Sequence, residues 1–257
     1  MPDLFAAPAR LEAIYRYPVK GLSPQALERT TLAVGATLPA DRLYAIENGP
    51  SGFDAAAPKY FPKQRFLMLM RNERLATLKT DYIEDSHTLV IMQDGSEAVR
   101  GDLRTPDGRL AIETFFAAFM PGELRGPPKV LVGQNHSFSD VAKKVVSIIN
   151  LASVEAVGTA TGSALNPLRF RGNLHVSGWP AWHEFDLLGR EIEIGGARLK
   201  VVSRIVRCAA TDVDPDTGLR DLKIPKTLLQ TFGHADCGVY AEVVAGGTIA
   251  VGDTITA

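Results

Sequence analysis

The sequence has only two cysteines, Cys208 and Cys237, among its 257 residues. Two thiols are too few for a disulfide-stabilised scaffold and too few for a four-cysteine metal site. The five histidines also lack the spacing that is typical of a zinc site. We therefore expect a protein of a reducing compartment whose function depends on neither disulfides nor a histidine cluster.

An excess of charge of one sign is missing as well, because 28 Lys and Arg nearly balance 29 Asp and Glu. A net charge of -1 gives no bulk attraction for nucleic acid or for an anionic membrane. The first residues lack the basic and then apolar pattern of a signal peptide, and no stretch reaches the ~18 apolar residues of a membrane span. We expect a cytoplasmic protein with no nucleic-acid partner and no membrane partner.

Short apolar runs separated by Gly, Pro, Asn and Asp recur along the whole chain. This pattern predicts a mainly β architecture with a few short helices. The Gly195-Gly196 pair predicts a two-residue hairpin, and the runs 239–244 and 248–251 predict a second hairpin near the end of the chain. The remaining predicted strands are 11–17, 26–34, 42–47, 66–71, 88–93, 129–132, 145–151, 174–177, 191–194 and 197–206, and the predicted helices are 111–119, 153–160 and 226–232.

Two Gly- and Pro-rich segments interrupt these runs. The segment 48–64 is the longest without clear periodicity, and a loop of that length is usually functional or mobile. The Pro/Gly cluster at 121–128 is typical of a linker, although a large surface loop would leave the same pattern. We place a domain boundary there, which predicts an N-terminal β-rich domain over 10–120 and a second domain over 121–257.

Cys208 follows the apolar run 199–207 and opens a loop in which Pro215 and Gly218 indicate a turn. A thiol at a strand end can serve as a nucleophile or metal ligand once it is a thiolate. The neighbouring Arg207 would lower the cost of that charge only if the strand has ended or bulged there. The alternative is that Cys208 is a small buried hydrophobic residue, and we take Cys237 as structural.

Other polar residues also stand at the ends of apolar runs. Lys20 follows Pro18, Arg42 begins a run, and Arg171 and Asn173 flank a glycine. Taken one at a time, each is also compatible with a solvated charge or a turn residue. Their order along the chain is more informative than any one of them. The segments concerned are Tyr17-Pro18-Val19-Lys20, Asp41-Arg42, Phe138-Ser139-Asp140, Phe170-Arg171-Gly172-Asn173, Arg207-Cys208, Asp214-Pro215-Asp216-Thr217-Gly218 and Gly238-Val239-Tyr240.

Together these segments resemble the MOSC family, named for the C-terminal domain of molybdenum-cofactor sulfurases. The two-domain branch that includes the amidoxime-reducing components and their bacterial counterparts is the most similar. The resemblance implies a MOSC β-barrel domain with short helices, preceded by an N-terminal β-rich domain. Three positions depart from the family pattern, since Gly21 and Ala142 stand where Ser is usual and Asp212 stands where Thr is usual.

The resemblance also implies a molybdenum cofactor, in which a metal is held by a pterin dithiolene. Cys208 would be the metal ligand and the catalytic residue, because a polarisable thiolate suits a metal already bound through sulfur. Cations would hold the pterin phosphate, and donors and acceptors would hold the ring edges. The implied cofactor-binding residues are Lys20, Arg42, Asp140, Arg171, Asn173, Arg207 and Tyr240.

The activity implied by the resemblance is a two-electron reduction of small N-hydroxylated or N-oxide compounds, with electrons from a separate partner protein. An alternative within the family is a carrier that delivers the molybdenum cofactor, or a cysteine-bound sulfur, to another molybdoenzyme. A third possibility is a β-rich binding module in which Cys208 is inert.

Overall fold

The computed structural model describes residues 8–133 and 135–257. Strands dominate these residues, and three α-helices accompany them. The helices are α1 (Pro106–Phe119), α2 (Leu151–Thr161) and α3 (Ile224–Phe232). The strands are β1 (Arg10–Arg16), β2 (Gln25–Leu27), β3 (Arg29–Leu32), β4 (Tyr44–Glu47), β5 (Lys79–Ile83), β6 (Thr88–Gln93), β7 (Ser96–Asp102), β8 (Lys129–Val132), β9 (Val146–Asn150), β10 (Leu174–Ser177), β11 (Glu191–Ile194), β12 (Ala197–Val206), β13 (Asp236–Ala245), β14 (Gly247–Ala250) and β15 (Ile255–Thr256).

The largest sheet has eight strands in the order β15-β11-β12-β13-β9-β10-β1-β2. Its pairs are antiparallel except for β9 and β10, which run parallel. The sheet curls until β1 meets the segment that leads into β15. Arg10 there forms a bridge with Thr254, and the Ile255 N–H donates to the Ala9 carbonyl at 2.8 Å.

Alternation along the strands places one face of this sheet in a core. In β12 the buried Ala197, Leu199 and Val201 alternate with the exposed Arg198 and Lys200. Such a period of two is what a half-buried strand requires. Apolar side chains from both ends of the chain share this core, which includes Leu11, Ile14, Leu32, Leu38, Val146, Ile148, Leu174, Val239 and Ile249.

A second core lies between the three-stranded sheet β5-β6-β7, helix α1 and the β4–β8 pair. Thr105 caps α1 by accepting a hydrogen bond from the Gly108 N–H, and Pro106 occupies the first turn. The helix lies so close to β7 that a Cβ on Gly101 would stand 2.2 Å from the Gly108 carbonyl oxygen. Glycine at these positions therefore allows the inward Ile112 and Phe116 to reach the core.

The mainly β prediction is confirmed, and most predicted strands form within a few residues of their expected bounds. The run 66–71 is an exception, since only Phe66 makes an isolated bridge. The sequence analysis did not predict strands β5, β7 and β15. Helix α2 begins earlier than expected because Asn150 provides the cap, while the Ser153 hydroxyl donates to Glu184 at 2.9 Å.

One predicted hairpin forms and the other does not. Gly195 and Gly196 connect β11 and β12 as expected. The prediction that 248–251 pairs back onto 239–244 is wrong, because β14 pairs with β3. Gly247 serves close packing there, since a Cβ on it would lie 2.0 Å from the Gly196 carbonyl oxygen.

Among residues 8–133 and 135–257, no helix has both the length and the apolar character needed to cross a bilayer.

Candidate functional site

Cys208 lies two residues beyond the end of β12, at the start of a loop that we call the cysteine loop (residues 208–221). The strand pairing shifts register between Arg204 and Val206, so the regular strand has ended before the thiol. The Thr211 N–H and hydroxyl donate to the Cys208 carbonyl oxygen at 3.0 and 2.9 Å. The thiol is partly buried, whereas Cys237 is fully buried.

The charged group that lies beside this thiol is Lys63, a residue that the sequence analysis did not select. Its Nζ is 3.3 Å from Cys208 Sγ and 3.2 Å from an Asp140 oxygen. Lys63 belongs to the segment 48–64, whose length without periodicity indicated function or mobility. That signal marked the segment, but no motif distinguished Lys63 from its neighbours.

Asp140 joins Lys63 to the predicted Lys20. The Lys20 Nζ donates to an Asp140 oxygen and, at 2.8 Å, to the Phe138 carbonyl oxygen. Burial acts to raise the pKa of Asp140, but Lys20 and Lys63 together hold it well below its usual value. Burial lowers the pKa of Lys20 despite the attraction of Asp140.

Two predicted arginines, Arg42 and Arg171, lie against the same ring. Their guanidinium carbons are 4.4 and 4.2 Å from the centre of the Tyr17 ring. Both have left-handed backbone angles, with φ of 50° and 51°, which are uncommon for a residue with a side chain. Asp41 fixes the arrangement, because one oxygen accepts from the Tyr17 N–H at 2.8 Å and the other from Arg42 at 2.5 Å.

The two arginines differ in how burial affects them. Burial lowers the pKa of Arg171 to about 10. Burial acts in the same direction on Arg42 and is the largest single effect, but Asp41, Tyr17 and Asp140 together raise the pKa of that guanidinium. Arg171 donates through one terminal nitrogen to the Leu22 carbonyl at 2.9 Å. Its other donors make no hydrogen bond within the described part of the chain, so Arg171 keeps capacity to bind an anion.

Asn173 and Arg207 use most of their hydrogen bonds inside the protein. The Asn173 oxygen accepts from the Ser147 N–H and hydroxyl, and its amide donates to the Tyr15 carbonyl at 3.0 Å. Arg207 donates to the carbonyls of Cys237 and Phe170, each at 2.7 Å, and burial lowers its pKa. These side chains hold the backbone behind the site together.

A cavity of about 330 Å³ connects these groups. Tyr240 on β13 also lines it, and burial raises the pKa of that phenol. The structure thus brings every candidate residue from the sequence analysis to one cavity, together with Lys63. The candidate residues in its wall are Lys20, Arg42, Asp140, Arg171, Asn173, Arg207, Cys208 and Tyr240.

Two family models match this chain. Residues 133–256 match the MOSC domain, and residues 8–122 match the MOSC N-terminal beta barrel domain. The chain belongs to the MOSC domain family. Its N-terminal strand β1 lies in the same sheet as the strands of the MOSC domain match.

Curated relatives of this MOSC protein include mitochondrial amidoxime-reducing components. Component 1 of Mus musculus is 30% identical over 131 residues, which are 46% of this chain and 37% of that protein. Component 2 of Bos taurus is 31% identical over 124 residues, which are 43% of this chain and 36% of that protein. The chain therefore covers little more than a third of the length of these relatives.

Solved structures give weaker matches. The YUAD protein of Bacillus subtilis matches over 97% of this chain and 94% of its own, at 13% identity and a TM-score of 0.42. YiiM of Geobacillus stearothermophilus matches over 43% of this chain and 52% of its own, at 22% identity and a TM-score of 0.34.

Two further arginines hold the cysteine loop of the MOSC domain in place. Arg169, whose side chain is 4% exposed, binds both oxygens of Asp221 at 2.8 and 2.7 Å and one oxygen of Asp214 at 2.8 Å. Arg220 donates to the carbonyls of Ala209 at 2.7 Å and Met70 at 2.9 Å. The loop is thus tied to both walls of the cavity.

Proposed function

We propose that this chain is a molybdenum-cofactor oxidoreductase that reduces small N-hydroxylated or N-oxide compounds with electrons from a separate partner protein. The observation that carries the proposal is the convergence of the Cys208 thiol with Lys20, Arg42 and Arg171 in one cavity. Family membership and the names of the curated relatives support the same function. The proposal includes a cytoplasmic location, which the composition favours.

The chemistry of the donor set fits a phosphorylated pterin cofactor. A cavity near 330 Å³ lies within the range of about 300–1,000 Å³ that small-molecule sites occupy. Cationic side chains in the wall suit a phosphate, and Arg171 retains free donors for it. One thiolate does not complete the coordination of a metal, so the remaining ligands would come from the cofactor.

We assign each residue a part in holding that group. Cys208 would ligate the metal, while Lys20, Arg42 and Arg171 would hold the phosphate. The ring edges would meet Asp140 and Tyr240, which line the cavity. The bound cofactor would supply two-electron exchange at the metal.

Asn173 and Arg207 also belong to the proposed site, as residues that fix its wall. Asn173 ties β10 to β9 and β1 through Ser147 and Tyr15. Arg207 ties the end of β12 to Phe170 and Cys237. Their internal bonds would keep the phosphate-binding arginines and the thiol at a constant separation.

The test is the metal and pterin content of the protein made in a host that synthesises the cofactor. We expect wild type and Cys237→Ala to retain molybdenum and pterin, and Cys208→Ala to lose the metal. No metal in wild type, or equal metal in Cys208→Ala, would refute the proposal.

A turnover assay then separates an enzyme from a carrier. Loaded wild type should reduce hydroxylamine or an amidoxime with electrons from a reduced dye. Activation of a cofactor-free molybdoenzyme without dye turnover would instead identify a carrier.

A further inference from the structure

The segment 48–64 has a defined structure that delivers Lys63 to the thiol. The Phe53 ring packs against Phe138 with 5.0 Å between ring centres. The Tyr60 hydroxyl donates to the Asp140 carbonyl at 3.2 Å. Just beyond Lys63, the Asn48 N–H donates to the Arg65 carbonyl at 2.9 Å, which closes the base of the segment.

Lys63 keeps binding capacity in this position. An ammonium group has three donors, and Lys63 uses one on Asp140 and one on Cys208. Its side chain is 24% exposed and lines the cavity. Lys20 is less available, since its side chain is 7% exposed and donates to Asp140 and to the Phe138 carbonyl.

The local charge balance favours an anion beside the sulfur. The single negative charge of Asp140 is shared by two ammonium groups, Lys20 and Lys63. One positive charge is therefore left uncompensated in this group, and the guanidiniums of Arg42 and Arg171 line the same cavity. The cavity wall also holds the aspartates Asp41 and Asp140, but Lys and Arg side chains outnumber them. A concave surface with an excess of one sign of charge concentrates ligands of the opposite sign.

We propose that Lys63 is an anion-binding residue of the site, which holds a negatively charged oxygen of the ligand that approaches Cys208. The identification of this oxygen with that of an N-oxide substrate, which carries a formal negative charge, rests on the proposed function. The anion subsite itself rests on the position of Lys63 and does not depend on a bound metal.

Two alkylating reagents of opposite character test this subsite on the metal-free protein. Iodoacetate is an anion and iodoacetamide is its neutral analogue, and each forms a carbon–sulfur bond with the thiolate as the carbon–iodine bond breaks and iodide leaves. The ratio of their rate constants at Cys208 cancels the reactivity of the thiol itself. It therefore reports the local preference for negative charge.

The variants are Lys63→Met, Lys63→Arg and Lys59→Met. Lys59 is an exposed lysine of the same segment, so its replacement removes the same charge away from the thiol. We expect the iodoacetate-to-iodoacetamide ratio to fall about fivefold in Lys63→Met, as the loss of one charge a few Å away predicts. Lys63→Arg and Lys59→Met should keep the wild-type ratio. Mass spectrometry assigns the modified cysteine.

An unchanged ratio in Lys63→Met, or an equal fall in Lys59→Met, would overturn the inference. Because the protein is metal-free, this result is independent of the molybdenum measurement. If wild type binds no molybdenum but the ratio falls only in Lys63→Met, the anion subsite stands and the proposed function does not. If wild type retains molybdenum through Cys208 but the ratio in Lys63→Met equals that of wild type, the proposed function stands and the anion subsite does not.

Discussion

At the scale of single residues, Gly172 shows how a short motif depends on a distant neighbour. Gly172 lies in the segment Phe170-Arg171-Gly172-Asn173, and a Cβ on it would lie 2.1 Å from Cγ1 of Ile149. Ile149 is fully buried and therefore has little room to move. The glycine in this chain is thus matched to the isoleucine on β9.

Gly172→Ala should lower the free energy of unfolding by about 1–3 kcal/mol, because it overpacks the core against Ile149. In the double variant with Ile149→Ala, the alanine methyl would fill space that the isoleucine leaves. Urea denaturation of both single variants and the double variant measures the coupling. Strictly additive losses would show that the two sites do not share this space.

His175 predicts a specific pH dependence of stability. Its side chain is 4% exposed, and burial, with a smaller effect from Arg207, lowers its pKa to about 4. Since the unfolded value is about 6.5, the native state favours the neutral ring. The resulting contribution to stability is complete above about pH 6.5 and is lost as the pH falls towards 4.

Wild type should therefore lose about 3 kcal/mol more than His175→Phe between pH 6.5 and pH 4. Phenylalanine preserves an aromatic ring near Tyr15, whose ring centre is 5.0 Å from that of His175. Denaturation curves at several pH values compare the two proteins, which share their other titrating groups. Parallel stability profiles would contradict the prediction.

The candidate site was predictable from the sequence where short motifs carry its residues, and not elsewhere. Lys20, Arg171 and Cys208 stand in recognisable segments that meet at the cavity. Lys63 stands in an aperiodic segment, and only the folded chain brings it within 3.3 Å of the thiol. Likewise, no sequence pattern reveals that the side-chain oxygen of Asn173 accepts hydrogen bonds from Ser147.

At the scale of elements, glycine pairs serve two different structural purposes, a tight turn or a close approach of two backbone segments. Gly195 and Gly196 form a turn that neighbouring residues determine, so local sequence predicts it. A Cβ on Gly246 would lie 2.8 Å from the Leu32 carbonyl oxygen. Gly246 therefore allows a close contact between two distant parts of the chain. Local sequence cannot distinguish a glycine needed for a turn from one needed for close approach.

Arg220 is one of the side chains that attach the cysteine loop to the N-terminal part of the chain, together with Lys79, which donates to the Pro215 carbonyl at 2.9 Å. The Arg220 side chain reaches the carbonyls of Ala209, Leu69 and Met70 at 2.7, 3.0 and 2.9 Å. Hydrogen bonds to a charged donor contribute about 1.5–3 kcal/mol when buried, and partial exposure reduces that value here. Arg220→Ala should therefore raise hydrogen exchange in residues 209–217 about tenfold.

Hydrogen-exchange mass spectrometry checks this expectation against a distant control. Arg104→Ala removes an arginine that is paired with Asp102 near the start of α1. It should leave exchange in the cysteine loop unchanged, and neither variant should alter exchange in β6. Equal protection of residues 209–217 in Arg220→Ala and wild type would show that other contacts suffice to hold the loop.

At the scale of the whole molecule, N-terminal strands pair directly with C-terminal strands. Strand β1 pairs with β10, and β3 pairs with β14. Their side chains Leu11, Ile14 and Leu32 lie in the same core as strands β9 to β13. The division into domains over 10–120 and 121–257 stays a prediction, and this shared core supplies a test of whether each part is stable alone.

We expect the fragment 121–257 to lack a cooperative unfolding transition, because without residues 8–40 its core is open on the side that β1 and β3 cover. A permuted fragment, in which residues 8–40 follow residue 257 through a short glycine linker, should recover the transition. The linker is feasible because the Ile255 N–H lies 2.8 Å from the Ala9 carbonyl oxygen. Circular dichroism during urea denaturation compares the two fragments. Cooperative unfolding of 121–257 alone would show that the shared core is dispensable and would support a boundary near residue 121.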